Sequence, residues 1–337
     1  MDRARVLELA ERCVPAHMAY SSELSEELRG LSDSTGLSLV ELIVAGGFTD
    51  VVDMVYGQLD GGGARQGSFE DGCTAVLVPD ARARGAGFLA QTWDMHDSAA
   101  DYVVLVDVRP LEGPRALIFS TVGCLGQIGM KDASICVGIN NLPGADGQHG
   151  VTWPLAVRKA LMQTDLEQAL SCITQAQLAG AHNYLLLSGD GRGYNVEAFS
   201  TATHVTELGD DVLIHTNHAL AELTRAVSQR PDELQASSEA RLETGRGALA
   251  SGTVGLDELT RLLQHPTICY RGAPLPPGNL RRRNHAAAKR RALGLLGVAE
   301  RERARAVHAR RRPTMAVMRD MTAMHDGRGA EREESLR

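Results

Sequence analysis

The run Asp71-Gly72-Cys73-Thr74 holds the residues with the clearest potential for chemistry. A cut between Gly72 and Cys73 would give Cys73 a thiol and a free α-amine. A thiolate is the working nucleophile, and an α-amine with a reference pKa of about 7.7 to 8.0 is suited to act as its general base. Because Gly72 has no side chain, its carbonyl group is open to attack by the Cys73 sulfur. Glycine also tolerates the backbone strain of an N-to-S acyl shift. We therefore predict self-cleavage at this bond, with Cys73 as the nucleophile.

Two later polar residues are expected beside Cys73. Asp94 follows the strand-like run 87–93, and a strand adjacent to that of Cys73 would bring its carboxylate near the new ammonium group. Asn217 directly follows another strand-like run, 212–216. Its amide N–H could stabilise a developing oxyanion, a role worth about 3 to 4 kcal/mol in other enzymes.

Helical patterns precede the chemical run. An amphipathic helix is predicted over 2–28, a second helix follows the capping box that begins at Ser38, and a third covers 49–56. Residues 57–71 contain five glycines and little to bury, which predicts an exposed loop leading to the cut.

A change to strand texture begins at Cys73. Short apolar or alternating runs between Gly, Pro and Asp turns predict mostly antiparallel strands. They cover 74–79, 87–93, 102–109, 116–122, 135–140, 184–187, 194–199, 203–207 and 212–216, with helices over 152–162, 165–178 and most of 219–264. Strands, two helices and more strands indicate an α+β fold of layered sheets covered by helices.

The composition is that of a globular protein. The 337 residues are 43% hydrophobic, with a formal net charge of −7. No run approaches the roughly 20 apolar residues of a membrane helix, and the charged N-terminus does not resemble a secretory signal. The six cysteines are scattered, which favours free thiols. We expect a cytoplasmic protein with no membrane contact.

Seven short motifs carry a resemblance to a known family. They are D-G-C-T at 71–74, Q-T-W-D at 91–94, G-Q-I-G at 126–129, G-I-N-N-L at 138–142, H-N-Y-L-L at 182–186, H-T-N-H at 215–218 and H-P-T-I-C at 265–269. In order and spacing they resemble the acyl-coenzyme A:6-aminopenicillanic acid acyltransferase family, also described as the C45 family of self-processing cysteine peptidases. The resemblance implies the four-layer αββα sandwich of the N-terminal-nucleophile hydrolases, preceded by a helical pro-segment.

The resemblance also implies an organisation and a set of site residues. A precursor would mature into an α chain, 1–72, and a β chain whose catalytic part is 73–280. The implied residues are Cys73 as nucleophile, Asp94 as the aspartate of the usual N-W-D motif, Asn217 as the oxyanion asparagine and Arg271 as a late site arginine, with Thr74 and Trp93 lining the substrate pocket. No metal or redox cofactor is implied.

The implied substrate is a small acyl compound: an N-acyl amide, a β-lactam-type amide or an acyl thioester such as acyl-coenzyme A. Water would complete a hydrolysis and an amine a transfer. Residues 73–270 are acidic overall, which disfavours a cradle for coenzyme A phosphates and favours amide hydrolysis. The alternative function is that of an inactive or truncated relative with a binding or structural role and no self-cleavage.

The chain departs from the family pattern at three places. Thr92 and Lys131 stand where asparagine is common, and 281–337 replaces the expected closing strands with an Arg/Ala-rich segment. That segment holds 16 basic and 7 acidic residues. A helical extension and an out-of-frame translation of a GC-rich gene both remain open. A nucleic-acid-binding tail is disfavoured because the segment has no aromatic residue.

Two other signals have structural explanations. The glycine-rich run 189–193 lies between two strands, whereas a dinucleotide-binding loop leads into a helix. His215 and His218 are three residues apart at a strand end, where they do not share a face as they would on a helix. Hydrogen-bonded structural histidines are therefore favoured over metal ligands.

Overall fold

The computed structural model describes residues 3–57, 72–94, 97–132, 135–269 and 293–298. The helices before Cys73 are α1 (Arg3–Glu11), α2 (Val14–Tyr20), α3 (Ser22–Thr35), α4 (Leu39–Gly46) and α5 (Phe48–Gly57). The later helices are α6 (Trp153–Ala160), α7 (Leu166–Thr174), α8 (Glu222–Arg225), α9 (Asp232–Ala248) and α10 (Leu256–Leu263), and a 3-10 helix covers Asp97–Tyr102. None of the helices in these ranges is long and apolar enough to cross a membrane.

The strands form two antiparallel sheets. They are β1 (Gly72–Val78), β2 (Phe88–Asp94), β3 (Val103–Val108), β4 (Ala116–Thr121), β5 (Ile128–Lys131), β6 (Ile135–Asn141), β7 (His182–Ser188), β8 (Gly193–Ala198), β9 (Thr203–Glu207), β10 (Leu213–His215) and β11 (Leu293–Val298). One sheet has the order β10-β1-β2-β11, and the other runs β3-β4-β5-β6-β7-β8-β9. The predicted strands are confirmed, whereas β5 and β11 were not predicted.

The two sheets and their helices make four layers. Leu77, Leu89, Leu185 and neighbouring apolar side chains of β1, β2, β6 and β7 pack between the sheets. Helices α6 and α7 cover the outer face of the larger sheet. Helices α9 and α10 cover the outer face of the smaller one. This is the predicted αββα sandwich.

The N-terminal segment is more broken than its sequence pattern indicates. The helix predicted over 2–28 is three helices, because Pro15 occupies the first turn of α2 and Ser21 caps α3 by accepting from Leu24 N–H. The predicted capping box is confirmed: Glu41 N–H donates to Ser38 Oγ, and Ser38 N–H donates to the Glu41 carboxylate.

Buried polar contacts join the N-terminal helices to the sandwich. The Asp50 carboxylate accepts from Trp153 N–H over 3.0 Å, and Asp53 accepts from Ala181 N–H over 2.9 Å. His17 Nε2 lies 2.9 Å from Thr152 Oγ1, just before α6. Leu24, Leu28 and Leu42 add apolar contacts with Val151 and Leu155. These helices are therefore an integral part of the fold.

Strand β11 corrects one interpretation of the C-terminal segment. Residues Leu293–Val298 pair antiparallel with β2 on the side opposite to β1, so the helical interpretation is wrong for these six residues. The apolar run L-G-L-L-G-V satisfies the edge of β2 with backbone hydrogen bonds. The rest of 281–337 lies outside the described residues.

Candidate active site

Cys73 lies near the start of β1, between the two sheets. β1 pairs with β10 on one side and with β2 on the other. Ala75 and Leu77 point into the space between the sheets, and strand alternation directs Cys73 to the same side. Cys73 is 2% exposed, and the residue opposite it on the neighbouring strand β2 is Trp93.

Gly72 faces Asp94 across the same pair of strands. A Cβ atom at residue 72 would lie 2.7 Å from Asp94 Oδ2, closer than real Cβ contacts allow. The backbone at Gly72 belongs to the extended strand. The reason for glycine here is thus the close approach of Asp94, whereas the sequence pointed to backbone strain.

Asn217 is brought to Cys73 from far along the chain. Cys73 N–H donates to Asn217 Oδ1 over 2.7 Å, although 144 positions separate them. Arg241 Nη2 donates to the same oxygen over 2.8 Å, and Asn217 Nδ2 donates to the Asn141 carbonyl over 3.1 Å. Two donors on Oδ1 fix the orientation of the amide, since the flipped form would set donor against donor.

Arg241 is the arginine that the structure places in this site. It is 3% exposed on α9, and its Nη1 donates to the Cys73 carbonyl and, over 3.3 Å, to Thr74 Oγ1. Burial lowers the pKa of Arg241, against the opposing charges of Cys73 and Asp94. The sequence predicted Arg271 for this role, and Arg271 lies outside the described residues. Helical spacing alone did not reveal which residues of α9 face the site.

Ser238, one turn before Arg241, holds the backbone around Asn217. Its hydroxyl accepts from Asn217 N–H over 2.8 Å and lies 2.8 Å from His218 Nδ1. Thr216 Oγ1 donates to its carbonyl oxygen over 3.1 Å. One helix thus orients both the side chain and the main chain of Asn217. His218 bonds within this network, as a structural histidine would.

The two predicted pocket residues lie on opposite faces of the small sheet. Trp93 is partly buried beside Cys73 and meets Phe119 of the larger sheet edge to face, with ring centroids 5.6 Å apart. The Thr74 hydroxyl instead accepts from Arg241 on the α9 side. Trp93 is therefore available as a pocket wall, whereas Thr74 contacts the site through Arg241.

The departures from the family pattern have distinct surroundings. Thr92 accepts from Thr74 N–H through its Oγ1 over 3.1 Å, so it supports the start of β1. Lys131 is 4% exposed at the end of β5, and burial lowers its pKa to about 8. Among the described residues, Lys131 Nζ forms no hydrogen bond with the groups of the Cys73 site.

Gln91 ties the two sheets together beside the site. Its Oε1 accepts from Ile139 N–H over 2.8 Å, and its Nε2 donates to the Ile139 carbonyl over 3.1 Å. A Cβ atom at Gly138 would lie 2.7 Å from that Oε1, so the bridge requires glycine there. It links β2, which carries Asp94, to β6, which carries Asn141.

The groups that meet at Cys73 are a thiol, an amide, a guanidinium and a carboxylate. Within the described ranges, no group of three His, Cys, Asp or Glu residues could hold a metal ion. A buried thiol, an amide oriented by two donors, a guanidinium and a carboxylate converge at the start of one strand. This set can attack a carbonyl carbon and stabilise the resulting negative oxygen.

Comparison with protein families gives one match. A family model described as acyl-coenzyme A:6-aminopenicillanic acid acyl-transferase matches residues 81–266, more than half of the chain. The search of curated proteins finds no matching relative.

Several solved structures resemble the chain at low identity. An N-acylethanolamine-hydrolyzing acid amidase ortholog from Caenorhabditis elegans is 11% identical, over 67% of this chain and 93% of its own, with a TM-score of 0.45. A conjugated bile acid hydrolase from Clostridium perfringens is 9% identical, over 68% and 86%, with a TM-score of 0.45. Penicillin V acylase from Agrobacterium tumefaciens is 11% identical, over 67% and 83%, with a TM-score of 0.34.

Proposed function

This chain belongs to the acyl-coenzyme A:6-aminopenicillanic acid acyl-transferase family, and we propose that it is a self-cleaving cysteine enzyme that removes or transfers a small acyl group. The observation that carries the proposal is the 2.7 Å contact between Cys73 N–H and Asn217 Oδ1. It joins the predicted nucleophile to the predicted oxyanion residue. Arg241, bonded to both residues, completes the arrangement.

Maturation would begin with the peptide bond between Gly72 and Cys73. The Cys73 sulfur attacks the Gly72 carbonyl carbon, the C–N bond breaks, and the released amine takes up the thiol proton. Water then hydrolyses the thioester, which leaves a carboxylate on Gly72 and a free thiol on Cys73. The products are an α chain, 1–72, and a β chain beginning at Cys73, which stay together as partners.

Catalysis would use the newly formed α-amine. The amine takes the thiol proton, and the thiolate adds to the carbonyl carbon of the substrate. An N–H of Asn217 stabilises the oxyanion. Collapse expels the leaving amine or thiol, which receives the proton, and leaves an acyl group on Cys73. Water, or an acceptor amine, then attacks this thioester and gives up a proton, which releases the acid or the new amide and restores the Cys73 thiol. The cationic Arg241 disfavours protonation of the nearby amine and so favours its basic form.

The proposed substrates are small N-acyl amides, β-lactam-type amides and acyl thioesters. We favour amide hydrolysis over transfer from acyl-coenzyme A because 73–270 is acidic overall. The cycle described above requires only the groups of Cys73, Asn217, Arg241 and water. Trp93 and Phe119 provide an aromatic wall suited to an apolar acyl chain.

Acyl transfer to Cys73 can be tested directly by mass. Purified protein is mixed with p-nitrophenyl hexanoate, with N-hexanoyl-p-nitroanilide and with hexanoyl-coenzyme A, and peptides are analysed after rapid acid quenching. We expect a hexanoyl group on Cys73 from at least one donor, and release of hexanoate as it turns over. Added glycine methyl ester traps the acyl group if amines compete with water. Equal turnover by Cys73→Ala would refute the proposal.

A further inference from the structure

Glu197 is a buried carboxylate outside the set of residues described above. It lies on β8, in the larger sheet, and is 1% exposed. Buried carboxylates are costly unless donors satisfy them. Its donors therefore indicate what the residue does.

Four donors reach the Glu197 carboxylate, two on each oxygen. Oε1 lies 2.8 Å from His215 Nε2 and accepts from Leu220 N–H over 2.6 Å. Oε2 accepts from Ala221 N–H over 3.2 Å and from the Thr224 hydroxyl. All four donors belong to the ten-residue segment 215–224, and Asn217 lies within that segment.

The charge state of Glu197 agrees with these contacts. Burial raises the pKa of Glu197, but hydrogen bonding and charge from His215, with hydrogen bonds from Thr224 and Leu220, outweigh it and lower the pKa to about 2. His215 Nδ1 lies 2.8 Å from the Thr216 carbonyl, so both ring nitrogens of His215 face acceptors. Each oxygen of the Glu197 carboxylate is thus matched by two hydrogen-bond partners.

The contact between Glu197 and His215 also joins the two sheets. Glu197 belongs to β8 of the larger sheet, whereas His215 ends β10 of the smaller one. Glu197 also binds the N–H groups of Leu220 and Ala221, which follow Asn217 in the chain. From α9, Ser238 fastens the middle of the turn that carries Asn217.

We propose that Glu197 is a positioning residue for the reaction: by binding the chain on both sides of Asn217, it fixes the amide of Asn217 against Cys73. The inference rests on the proposed function, because it assumes that Asn217 stabilises an oxyanion. A glutamine at residue 197 would have similar size but would turn an NH2 group toward two of the four donors. Its amide group would no longer hold both sides of the turn.

The test compares two reactions of the same thiol. Acylation of Cys73 by p-nitrophenyl hexanoate passes through an oxyanion, whereas alkylation of Cys73 by iodoacetamide displaces iodide and does not. We expect Glu197→Gln to slow acylation by about 10- to 100-fold, a part of the loss seen on removing an oxyanion donor, and to leave alkylation nearly unchanged. Asn217→Ala should slow acylation more than Glu197→Gln does, and should also leave the alkylation rate nearly unchanged. Both rates are followed on the Cys73 peptide by mass.

The matched control is Glu207→Gln on exposed β9, which should change neither rate. Thr224→Val removes one donor while keeping the carboxylate, and should slow acylation less than Glu197→Gln does. It serves as the test if Glu197→Gln fails to fold. Unchanged acylation, or equal slowing of both reactions, would overturn the positioning role.

Hydrogen exchange separates this inference from the proposed function. Glu197→Gln should raise amide exchange in 215–224 relative to Glu207→Gln, whether or not the protein turns over a substrate. If the wild-type thiol takes no acyl group, the proposed function fails. Unchanged exchange in 215–224 would overturn the claim that Glu197 holds this segment.

Discussion

Gly72 and Asp94 approach so closely that a methyl group on residue 72 would lie 2.7 Å from Asp94 Oδ2. Gly72 precedes the proposed nucleophile, and Asp94 lies opposite Gly72 at the end of β2. The position of the Asp94 carboxylate leaves no room for a side chain at residue 72. Any side chain at residue 72 must displace either the Asp94 carboxylate or the bond that is proposed to break.

Gly72→Ala should therefore slow self-cleavage without unfolding the protein. Displacement of the reacting groups by a fraction of an ångström to 1 Å is expected to cost about 10- to 100-fold in rate. The measurement is the fraction of cut chain against time after synthesis, by denaturing electrophoresis. Gly209→Ala is the control, because a Cβ there meets nothing within 4 Å. Cleavage of Gly72→Ala at the wild-type rate would show that the close approach is irrelevant.

Arg241→Met should impair the acylation of Cys73. It removes the donors to the Cys73 carbonyl and to Asn217 Oδ1, and with them the positive charge beside the α-amine. We expect kcat/KM for p-nitrophenyl hexanoate to fall by about 100-fold, comparable with loss of an oxyanion donor. Arg241→Lys keeps the charge but loses the forked geometry, so its loss should be smaller.

Arg246→Met on the same helix is the matched control for Arg241, since residue 246 is exposed. It should retain the wild-type kcat/KM. An Arg241→Met enzyme as active as this control would remove Arg241 from the site.

His17 predicts an acid-dependent loss of stability. Its Nδ1 donates to the Cys13 carbonyl, so its Nε2 accepts from Thr152. Burial lowers its pKa to about 4, whereas the unfolded chain titrates near 6.5. Between these values the unfolded state binds more protons, so the free energy of unfolding falls as the pH drops from about 6.5 to about 4, by on the order of 3 kcal/mol.

Urea unfolding at several pH values measures the contribution of His17 to the free energy of unfolding. His17→Gln should show a shallower pH dependence than wild type in that window, and His204→Gln on exposed β9 should not. A His17→Gln slope equal to that of wild type would contradict the assignment of a buried neutral imidazole.

Asp50 and Asp53 should keep the two chains together after cleavage. Their carboxylates accept from Trp153 N–H and Ala181 N–H, which belong to the other chain once the bond is cut. We expect cut wild-type protein to elute as one species in size-exclusion chromatography. Asp50→Ala with Asp53→Ala should weaken that association, because two buried N–H groups lose their acceptors. Asp33→Ala, exposed on α3, is the control; co-elution of the double variant would refute the prediction.

Much of this architecture is predictable from local patterns. Alternation and turn residues predicted the strands beside Cys73, Asp94 and Asn217 and a fold of layered sheets, and the resemblance specified the αββα sandwich. The ends of β1, β2 and β10 fell within about two residues of their predicted bounds.

The remaining features depend on long-range packing. Arg241 lies on α9, where the pattern of charges does not reveal a buried face, and only the tertiary contact with Asn217 identifies it. Glu197 occupies a polar position in the alternating strand G-Y-N-V-E-A, where the pattern predicts an exposed side chain, and its partners lie 18 to 27 positions away. β11 forms because β2 offers an edge, a condition that its own sequence does not encode.

The central claim is that Cys73 becomes the N-terminus of a separate chain. Intact mass with N-terminal sequencing of freshly purified protein tests it most directly, with Cys73→Ala prepared in parallel. We predict two chains in the wild type, the second beginning Cys73-Thr74-Ala75-Val76, and one whole chain in the variant. A folded wild-type protein that stays as a single chain, or a variant cut at the same bond, would contradict the account.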